Sequence, residues 1–256
     1  MVHPEPEDAT PPAAGPSEPG SSLEELSERF MTLVTGPDPF AATDVGLDVV
    51  DRFGTDDAPP NVLATLASLL VNRNRPGDCE RAVQCSRAVL ADLPPHMARS
   101  RHNMQYDLAM ALARMARPDA IEEALDVVGA MAAGGEAAKE MRIEVLECVH
   151  NTLRSPGVIQ RPDDAESAVV KEKTCRALVD LDPGRARNNW NLGAVLCSAG
   201  KLEEGLPLYE KALELADEPE RQGGLNAEDR GKLVKDIETA KKQLSGELSR
   251  DGTIIR

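Results

Sequence analysis

A two-part helical pattern recurs about every 42 residues in this chain and constrains its fold more than any other feature. Each copy begins with an apolar residue that has a leucine four places later, and in three of the four copies a small residue follows the apolar one directly. Further along, an acidic residue stands two places before a second small residue. The first mark begins at Leu66, Leu108, Val149 and Leu192, and the second is Glu80/Ala82, Glu122/Ala124, Glu166/Ala168 and Glu203/Gly205. Two independent marks that recur together predict an internal repeat.

A proline or a glycine interrupts each copy between its two marks. These interruptions are Pro76-Gly77, Pro118, Pro156-Gly157 and Gly200. Because both residue types end helices, each copy is predicted to be a pair of helices joined by a turn. Aromatic residues make up only 2% of the chain, so the core must be built mainly from small and unbranched apolar residues, which favour helices over strands. The sequence therefore predicts an all-α fold, an α-solenoid of stacked antiparallel helix pairs.

The two ends of the chain differ in composition from the repeats. Residues 1–21 are rich in Pro, Glu, Ser and Gly, which is typical of a disordered tail. A fainter copy of the pattern follows, so the repeat domain is predicted to span residues 22–222. Residues 223–248 are predicted to form a C-terminal capping helix that begins after Asn226, and residues 249–256 a flexible tail. The apolar residues predicted on one face of this helix are Leu233, Ile237, Ala240 and Leu244.

The two predicted helices of the last repeat each contain a glycine, which costs roughly 1 kcal/mol relative to alanine. Gly193 lies on the first helix of the last repeat and Gly205 on its second helix, with Ala212 two turns further along. Antiparallel helices approach to about 8 Å only where the residues at their crossing are small. We therefore predict that Gly193, Gly205 and Ala212 pack the two helices of this repeat together.

The most regular copy spans residues 186–219. Its characteristic segments are Asn191-Leu192-Gly193, Gly200-Lys201, Glu203-Glu204-Gly205 and the run from Tyr209 to Leu215. These segments resemble the tetratricopeptide repeat, a helix–turn–helix unit, and the upstream copies resemble lengthened versions of it. The chain departs from the family pattern at Trp190, which stands one place late, and at Leu196, which replaces an aromatic residue. The resemblance implies a right-handed superhelix in which the first helices of successive units line a concave groove.

The resemblance also implies which side chains face that groove. They would include Asn61, Asn103, Tyr106, Asn151, Arg154, Arg187, Trp190 and Asn191, with Ser68, Asp107 and Glu147 beside them. An asparagine amide both donates and accepts hydrogen bonds, so a series of them can hold an extended peptide backbone. Tyr106 and Trp190 would add flat apolar area of the kind found in binding hot spots. The alternative interpretation is that these asparagines merely cap or solvate their helices.

Four arginines stand at or just before the starts of first helices. They are Arg99, Arg101, Arg185 and Arg187. They could attract an acidic partner segment, or they could form local ion pairs with neighbouring carboxylates. The repeats that clamp the C-terminal carboxylate of heat-shock chaperones need a lysine where this chain has Glu147, four places before Asn151. That clamp is not matched, and a chaperone-tail adaptor is not expected.

No pattern in the sequence indicates catalysis, a metal site or a cofactor. The four histidines are scattered, and no HExxH, GxGxxG, GxxxxGK[ST] or GxSxG motif is present. The net charge of −15 disfavours nucleic acid and anionic membranes as partners. No run of apolar residues is long enough for a membrane span, and five irregularly spaced cysteines indicate reduced thiols, so we expect a cytoplasmic protein.

These observations predict a non-enzymatic protein–protein interaction scaffold that binds a peptide or partner segment in the groove of the solenoid. Two alternatives stay open. One is a structural subunit buried in a larger multiprotein assembly. The other is an α-helical enzyme with an unrecognised site, which a deep pocket with convergent buried acids or histidines would favour.

Overall fold

The computed structural model describes residues 20–94, 96–131, 135–155, 165–219 and 223–249. Within these ranges the chain forms eleven α-helices and no β-strand, which confirms the all-α class. Most of the predicted N-terminal and C-terminal tails lies outside the described residues. None of the helices in the described ranges has both the length and the apolar character needed to cross a membrane.

The chain divides into two compact units, with the boundary between Ala111 and Leu112. The N-terminal unit holds α1 (Leu23–Val34), α2 (Ala42–Asp57), α3 (Pro60–Arg73), α4 (Asp78–Asp92) and most of α5 (Ala98–Met115). The C-terminal unit holds the end of α5 and then α6 (Pro118–Ala130), α7 (Gly135–Arg154), α8 (Ala165–Leu181), α9 (Ala186–Ser198), α10 (Leu202–Leu215) and α11 (Ala227–Leu244). The predicted breaks at Pro76-Gly77 and Gly200 fall between helices, and that at Pro118 falls at the first residue of α6. The break at Pro156-Gly157 lies outside the described residues.

Within each unit, helices that follow one another in sequence pack against one another. In the N-terminal unit, α1 packs on α2, α2 on α3, and α3 on α4. In the C-terminal unit, α6 packs on α7, and the same holds for each successive pair up to α10 and α11. This nearest-neighbour packing is the arrangement of a solenoid, in which each repeat contacts only those beside it.

The N-terminal residues form a helix pair of the same kind. Ser22 and Glu25 make a capping box at the start of α1, which satisfies two of the backbone N–H groups that a helix start leaves unpaired. Phe30 of α1 is fully buried, and a Cβ placed on Gly46 of α2 would lie 2.7 Å from its ring. The glycine therefore makes room for the phenylalanine at this crossing.

Helices α9 and α10 cross closely. A Cβ on Gly193 would lie 2.7 Å from the Tyr209 ring and 3.1 Å from the carbonyl oxygen of Gly205. A Cβ on Gly205 would lie 2.9 Å from the carbonyl oxygen of Gly193. Ala212, two turns after Gly205 on α10, is fully buried. The two backbones thus touch where the last repeat has a glycine in each of its helices.

The pair formed by α7 and α8 is packed differently. His150 stands where the other repeats have alanine or glycine, and its imidazole Nδ1 lies 3.5 Å from the sulfur of the buried Cys175. Ala168 belongs to the second mark of this repeat but is exposed, so the small residue of that mark does not lie at the helix crossing here. Thr174 and Cys175 are the fully buried small residues of α8 instead. An imidazole occupies more space than a methyl group, so different residues of α8 lie at the contact with α7.

Helix α11 covers the apolar face of the last repeat. Asn226 accepts a hydrogen bond from the backbone N–H of Asp229 at 2.9 Å and so caps its first turn. The buried residues Leu233, Ile237 and Ala240 pack in one cluster with Tyr209, Ala212, Ala216 and Leu225. Leu244 was expected on the same face but is 48% exposed, because it is the last residue of the helix, one turn beyond the anchor at Ala240.

We predict that replacing Gly193 by alanine destabilises the protein, whereas replacing Gly231 by alanine stabilises it. Both glycines lie inside helices, but a Cβ at Gly231 would meet nothing within 4 Å. Gly231→Ala should therefore gain up to about 1 kcal/mol from helix propensity alone. Gly193→Ala should lose about 1–3 kcal/mol, because the ring of Tyr209 and a backbone carbonyl must move. Urea denaturation of both variants measures the difference, and equal gains would show that the α9–α10 crossing is not tight.

Candidate partner-binding faces

The residues predicted to face a partner lie on two helical faces, one in each unit. The α3–α5 face carries Asn61, Ser68, Asn103, Tyr106 and Asp107. The α7–α9 face carries Asn151, Arg154, Arg187, Trp190 and Asn191. Each face belongs to a single compact unit, so each is a candidate site in its own right.

The four asparagines of these faces share one property. Asn61, Asn103 and Asn151 are exposed, and Asn191 is half-buried. None of their side-chain amides makes a hydrogen bond to another residue in the described ranges. These amides therefore do not cap their own helices, and those of Asn61, Asn103 and Asn151 are exposed to solvent, as the alternative interpretation also expects.

The neighbouring asparagines of α9 behave in the opposite way. Asn188 is buried and donates from Nδ2 to the carbonyl oxygens of Leu178 and Asp182, each at 3.3 Å. Asn189 is also buried and donates to the carbonyl oxygen of Pro183 at 3.0 Å. These two amides fix the start of α9 against the end of α8. Two asparagines of the run at 188–191 are thus structural, and Asn191 is not held in this way.

A buried carboxyl group connects the two helices of the α3–α5 face. The hydroxyl of Ser68 donates to Oδ2 of Asp107 at 2.5 Å, and Asp107 is only 6% exposed. Burial raises the pKa of Asp107 to about 6, although the hydrogen bond from Ser68 acts in the opposite direction. Asn61 lies two turns before Ser68 and Asn103 one turn before Asp107, so both amides stand on the same side of their helices as this bond. Tyr106 is half-buried beside them.

Helix α11 holds two of the residues of the α7–α9 face. The guanidinium of Arg187 lies over the ring of Trp190 at 5.1 Å and forms an ion pair with Asp229 of α11. The indole N–H of Trp190 donates to Oδ2 of Asp236 at 2.8 Å. Trp190 is half-buried and packed against the cluster under α11. It is therefore a fixed side chain with a bound polar end, not a freely projecting ring.

Sequence reasoning did not identify Asp229 and Asp236 as part of this face. The two carboxylates are seven residues apart and so lie two turns apart on one side of α11. Had α11 been treated as the first helix of a further repeat, its acidic side would have been placed next to Arg187 and Trp190. The spacing was therefore a usable signal, but the interpretation of α11 as a simple cap concealed it.

Three of the four arginines expected to attract an acidic segment have partners within the chain. Arg185 pairs with Glu147, Arg187 pairs with Asp229, and Arg101 donates to the carbonyl oxygen of Leu93. Arg99 is exposed and has no ion pair or hydrogen bond to a described residue. The local alternative thus accounts for most of these side chains, and the case for an acidic partner is weaker.

The buried His150 and Cys175 are the only close imidazole–thiol contact in the described ranges. Burial lowers the pKa of His150 to about 4, and the positive charges of Arg154 and Lys171 act in the same direction. Burial also raises the pKa of Cys175 to about 12, so its thiol stays protonated at neutral pH and is a poor nucleophile. Nothing in the described ranges groups three or more His, Cys, Asp or Glu side chains in a way that could hold a metal ion.

Comparison with protein families and with curated sequences gives no relative. No protein-family model matches the chain, and no curated protein sequence is significantly similar to it. The similarity to the tetratricopeptide repeat therefore stays a prediction from the residues quoted above.

We predict that Asp107→Asn stabilises the protein at neutral pH but not in acid. The pKa of Asp107 is higher in the folded than in the unfolded chain. The contribution of Asp107 to the stability of the folded state is therefore favourable at low pH and is lost as the pH rises through about 6. Asparagine keeps an acceptor for Ser68 and carries no charge. The variant should therefore gain up to about 3 kcal/mol at pH 7.5, and the gain should vanish towards pH 4.

Urea denaturation at four pH values between 4 and 7.5 tests this expectation. Asp56→Asn, at an exposed position of α2, is the matched control and should change stability little across the range. A pH-independent difference between Asp107→Asn and the wild type would contradict a costly buried carboxylate at this position.

Proposed function

We propose that the chain is a non-enzymatic scaffold and that its α3–α5 face and its α7–α9 face each bind an extended segment of a partner protein. The observation that carries the proposal is the state of the four asparagines. Their amides are presented on first helices and make no hydrogen bond to a described residue, whereas the buried asparagines of α9 each donate from Nδ2 to backbone carbonyl oxygens. Polar groups that the fold itself does not use are available to a ligand.

The chemistry of these amides suits a peptide backbone. Each can donate to a backbone carbonyl and accept from a backbone N–H, which is what an extended segment offers at every residue. Such contacts do not depend on the side chains of the segment. They would supply affinity, and neighbouring side chains would supply selectivity.

The α7–α9 face is also organised before any partner binds. Arg187 and Trp190 are held by Asp229 and Asp236, so few rotamers remain to be fixed on association. Immobilising a long side chain costs roughly 0.5–1.5 kcal/mol, and this cost is largely met when the chain folds. A pre-organised wall is typical of a recognition surface.

A protein partner fits the charge of the chain better than a nucleic acid does. The net charge of −15 repels a phosphate backbone. In the described residues, the arginines of the α7–α9 region are also largely paired with carboxylates. We further propose that the protein acts in the cytoplasm, where the thiols of its five cysteines would stay reduced.

A structural subunit of a larger assembly is a second candidate. Val169 is 67% exposed and Phe40 is 45% exposed, and both lie outside the two candidate faces. Apolar side chains at such positions would be covered if the chain were built into a complex. Burial of these two residues in an assembly would not require the asparagines.

The test is the affinity of the scaffold for a partner captured from native extract and identified by mass spectrometry. We predict that Asn151→Ala and Asn191→Ala each weaken binding by about 1–3 kcal/mol, because each leaves a buried backbone group of the partner unpaired. Trp190→Ala should weaken binding by about 2 kcal/mol or more, but it also removes packing under α11 and so should lower stability. The asparagine variants are thus the sharper test.

Lys211→Ala together with Glu214→Ala provides the matched control, because both residues are exposed on the second helix α10. This double variant should bind as the wild type does. If the asparagine variants also bind with wild-type affinity and unchanged melting, the partner does not use the α7–α9 face.

A further inference from the structure

A small cavity opens where the ends of α9 and α11 meet the start of α10. Its volume is about 210 Å³. The side chains that matter to its chemistry are Cys197, Ser198, Tyr209, Asp236, Thr239 and Gln243. Small-molecule sites usually enclose about 300–1,000 Å³, so this cavity is suited to a single side chain and not to a cofactor.

The charge of the cavity is set by one residue. Asp236 is the only charged residue among those that line it. Its Oδ2 accepts the hydrogen bond from the indole of Trp190, and its Oδ1 has no hydrogen bond to any residue in the described part of the chain. One carboxylate oxygen at the cavity is therefore left for a donor from outside.

The other polar groups around Asp236 do not neutralise it. Ser198, Thr239 and Gln243 are neutral and each offers an oxygen that can accept a hydrogen bond. The ring of Tyr209 forms part of the wall beside them. A partly enclosed site with one unbalanced carboxylate favours a cation, because Coulomb attraction is stronger where water is partly excluded. A single carboxylate is too small a ligand set for a metal ion in a protein site.

We propose that this cavity binds the cationic side chain, lysine or arginine, of the partner segment that lies along the α7–α9 face. The inference rests on the proposed function and adds to it a preference for a basic residue. Asp236 joins the two sites physically, because it accepts a hydrogen bond from Trp190 of the α7–α9 face and is also one of the residues that line the cavity. The strongly acidic chain would attract a basic segment before contact as well.

The single tryptophan of the chain makes the proposal directly measurable. Trp190 donates to the carboxylate that the cation would bind, so its fluorescence should change when the cavity is filled. The full chain is titrated with N-acetylargininamide and with N-acetyllysinamide, at constant ionic strength. N-acetylcitrullinamide, which resembles the arginine probe but is neutral, is the control. We expect saturable changes with a cationic probe in the millimolar range and no saturable change with the citrulline probe.

Three variants separate the cavity from its surroundings. Asp236→Asn keeps an oxygen that can accept from the indole but loses the charge, and it should weaken probe binding at least tenfold. Ser198→Leu, at an exposed position on the rim, should weaken it as well by filling the cavity, without touching the carboxylate. Glu238→Gln removes an exposed charge elsewhere on the same helix and should leave binding unchanged.

The outcomes distinguish this inference from the proposed function. Loss of probe binding in Asp236→Asn and Ser198→Leu, with retention in Glu238→Gln, supports the cation site. Equal response to the citrulline probe, no saturable response to either cationic probe, or an unchanged response in a folded Asp236→Asn variant overturns it. The scaffold function fails separately, when asparagine variants of the α7–α9 face bind the captured partner normally.

Discussion

The contact between the backbones of α9 and α10 at Gly193 and Gly205 supports most of what is distinctive in the C-terminal unit. With no side chain at either position, Tyr209 can lie directly over Gly193. Tyr209 then becomes part of the apolar cluster on which Leu233 and Ile237 of α11 rest. The position of α11 therefore depends on two glycines that are themselves unfavourable for the helices that contain them. The unfavourable helix propensity of these glycines is offset by the tertiary contact that they allow.

The position of α11 in turn determines the chemistry of the neighbouring surface. Because α11 lies next to α9, Asp229 reaches Arg187 and Asp236 reaches Trp190. An exposed ion pair contributes at most about 1 kcal/mol on its own. Here its larger effect is on orientation, because it fixes side chains that the fold would otherwise leave mobile. A helix that covers an apolar edge thus also supplies one wall of a candidate binding surface.

The fold could be predicted from the sequence because its signals are local and repeated. Proline and glycine punctuation marked the helix ends: α6 begins at Pro118, and α9 ends at Ser198, just before Gly200. The capping function of Asn226 could likewise be predicted from the neighbouring residues. His150 was the exception, since the repeat pattern cannot say how two helices adjust when a large polar ring replaces a methyl group. That adjustment depends on Cys175, which lies on another helix.

The candidate site could be predicted only in part, for the same physical reason. The residue types and their helical spacing placed asparagines on the first helices. They did not show which of these amides form hydrogen bonds within the fold. Asn188, Asn189 and Asn191 are close in sequence, yet only the first two are buried and bonded to backbone carbonyls. Likewise, nothing local distinguishes Asp107 from an ordinary surface carboxylate, because its burial and its bond to Ser68 arise from packing between helices.

Taken together, the polar groups left over by packing suggest how selectivity could arise on such a surface. Amides such as Asn151 and Asn191 can hold any extended backbone and therefore discriminate little between partners. A carboxylate with one oxygen bonded to Trp190 and the other without a hydrogen bond to a described residue can discriminate between partners. It attracts a cationic side chain, whereas an uncharged side chain leaves its charge unbalanced in the complex. Asp236 is anchored on a helix that is itself fixed by the glycine crossing, so the charge is held in place before a partner arrives. Recognition of a segment would then combine a sequence-tolerant series of amides with one charge-selective position, and that position follows from how the last three helices pack.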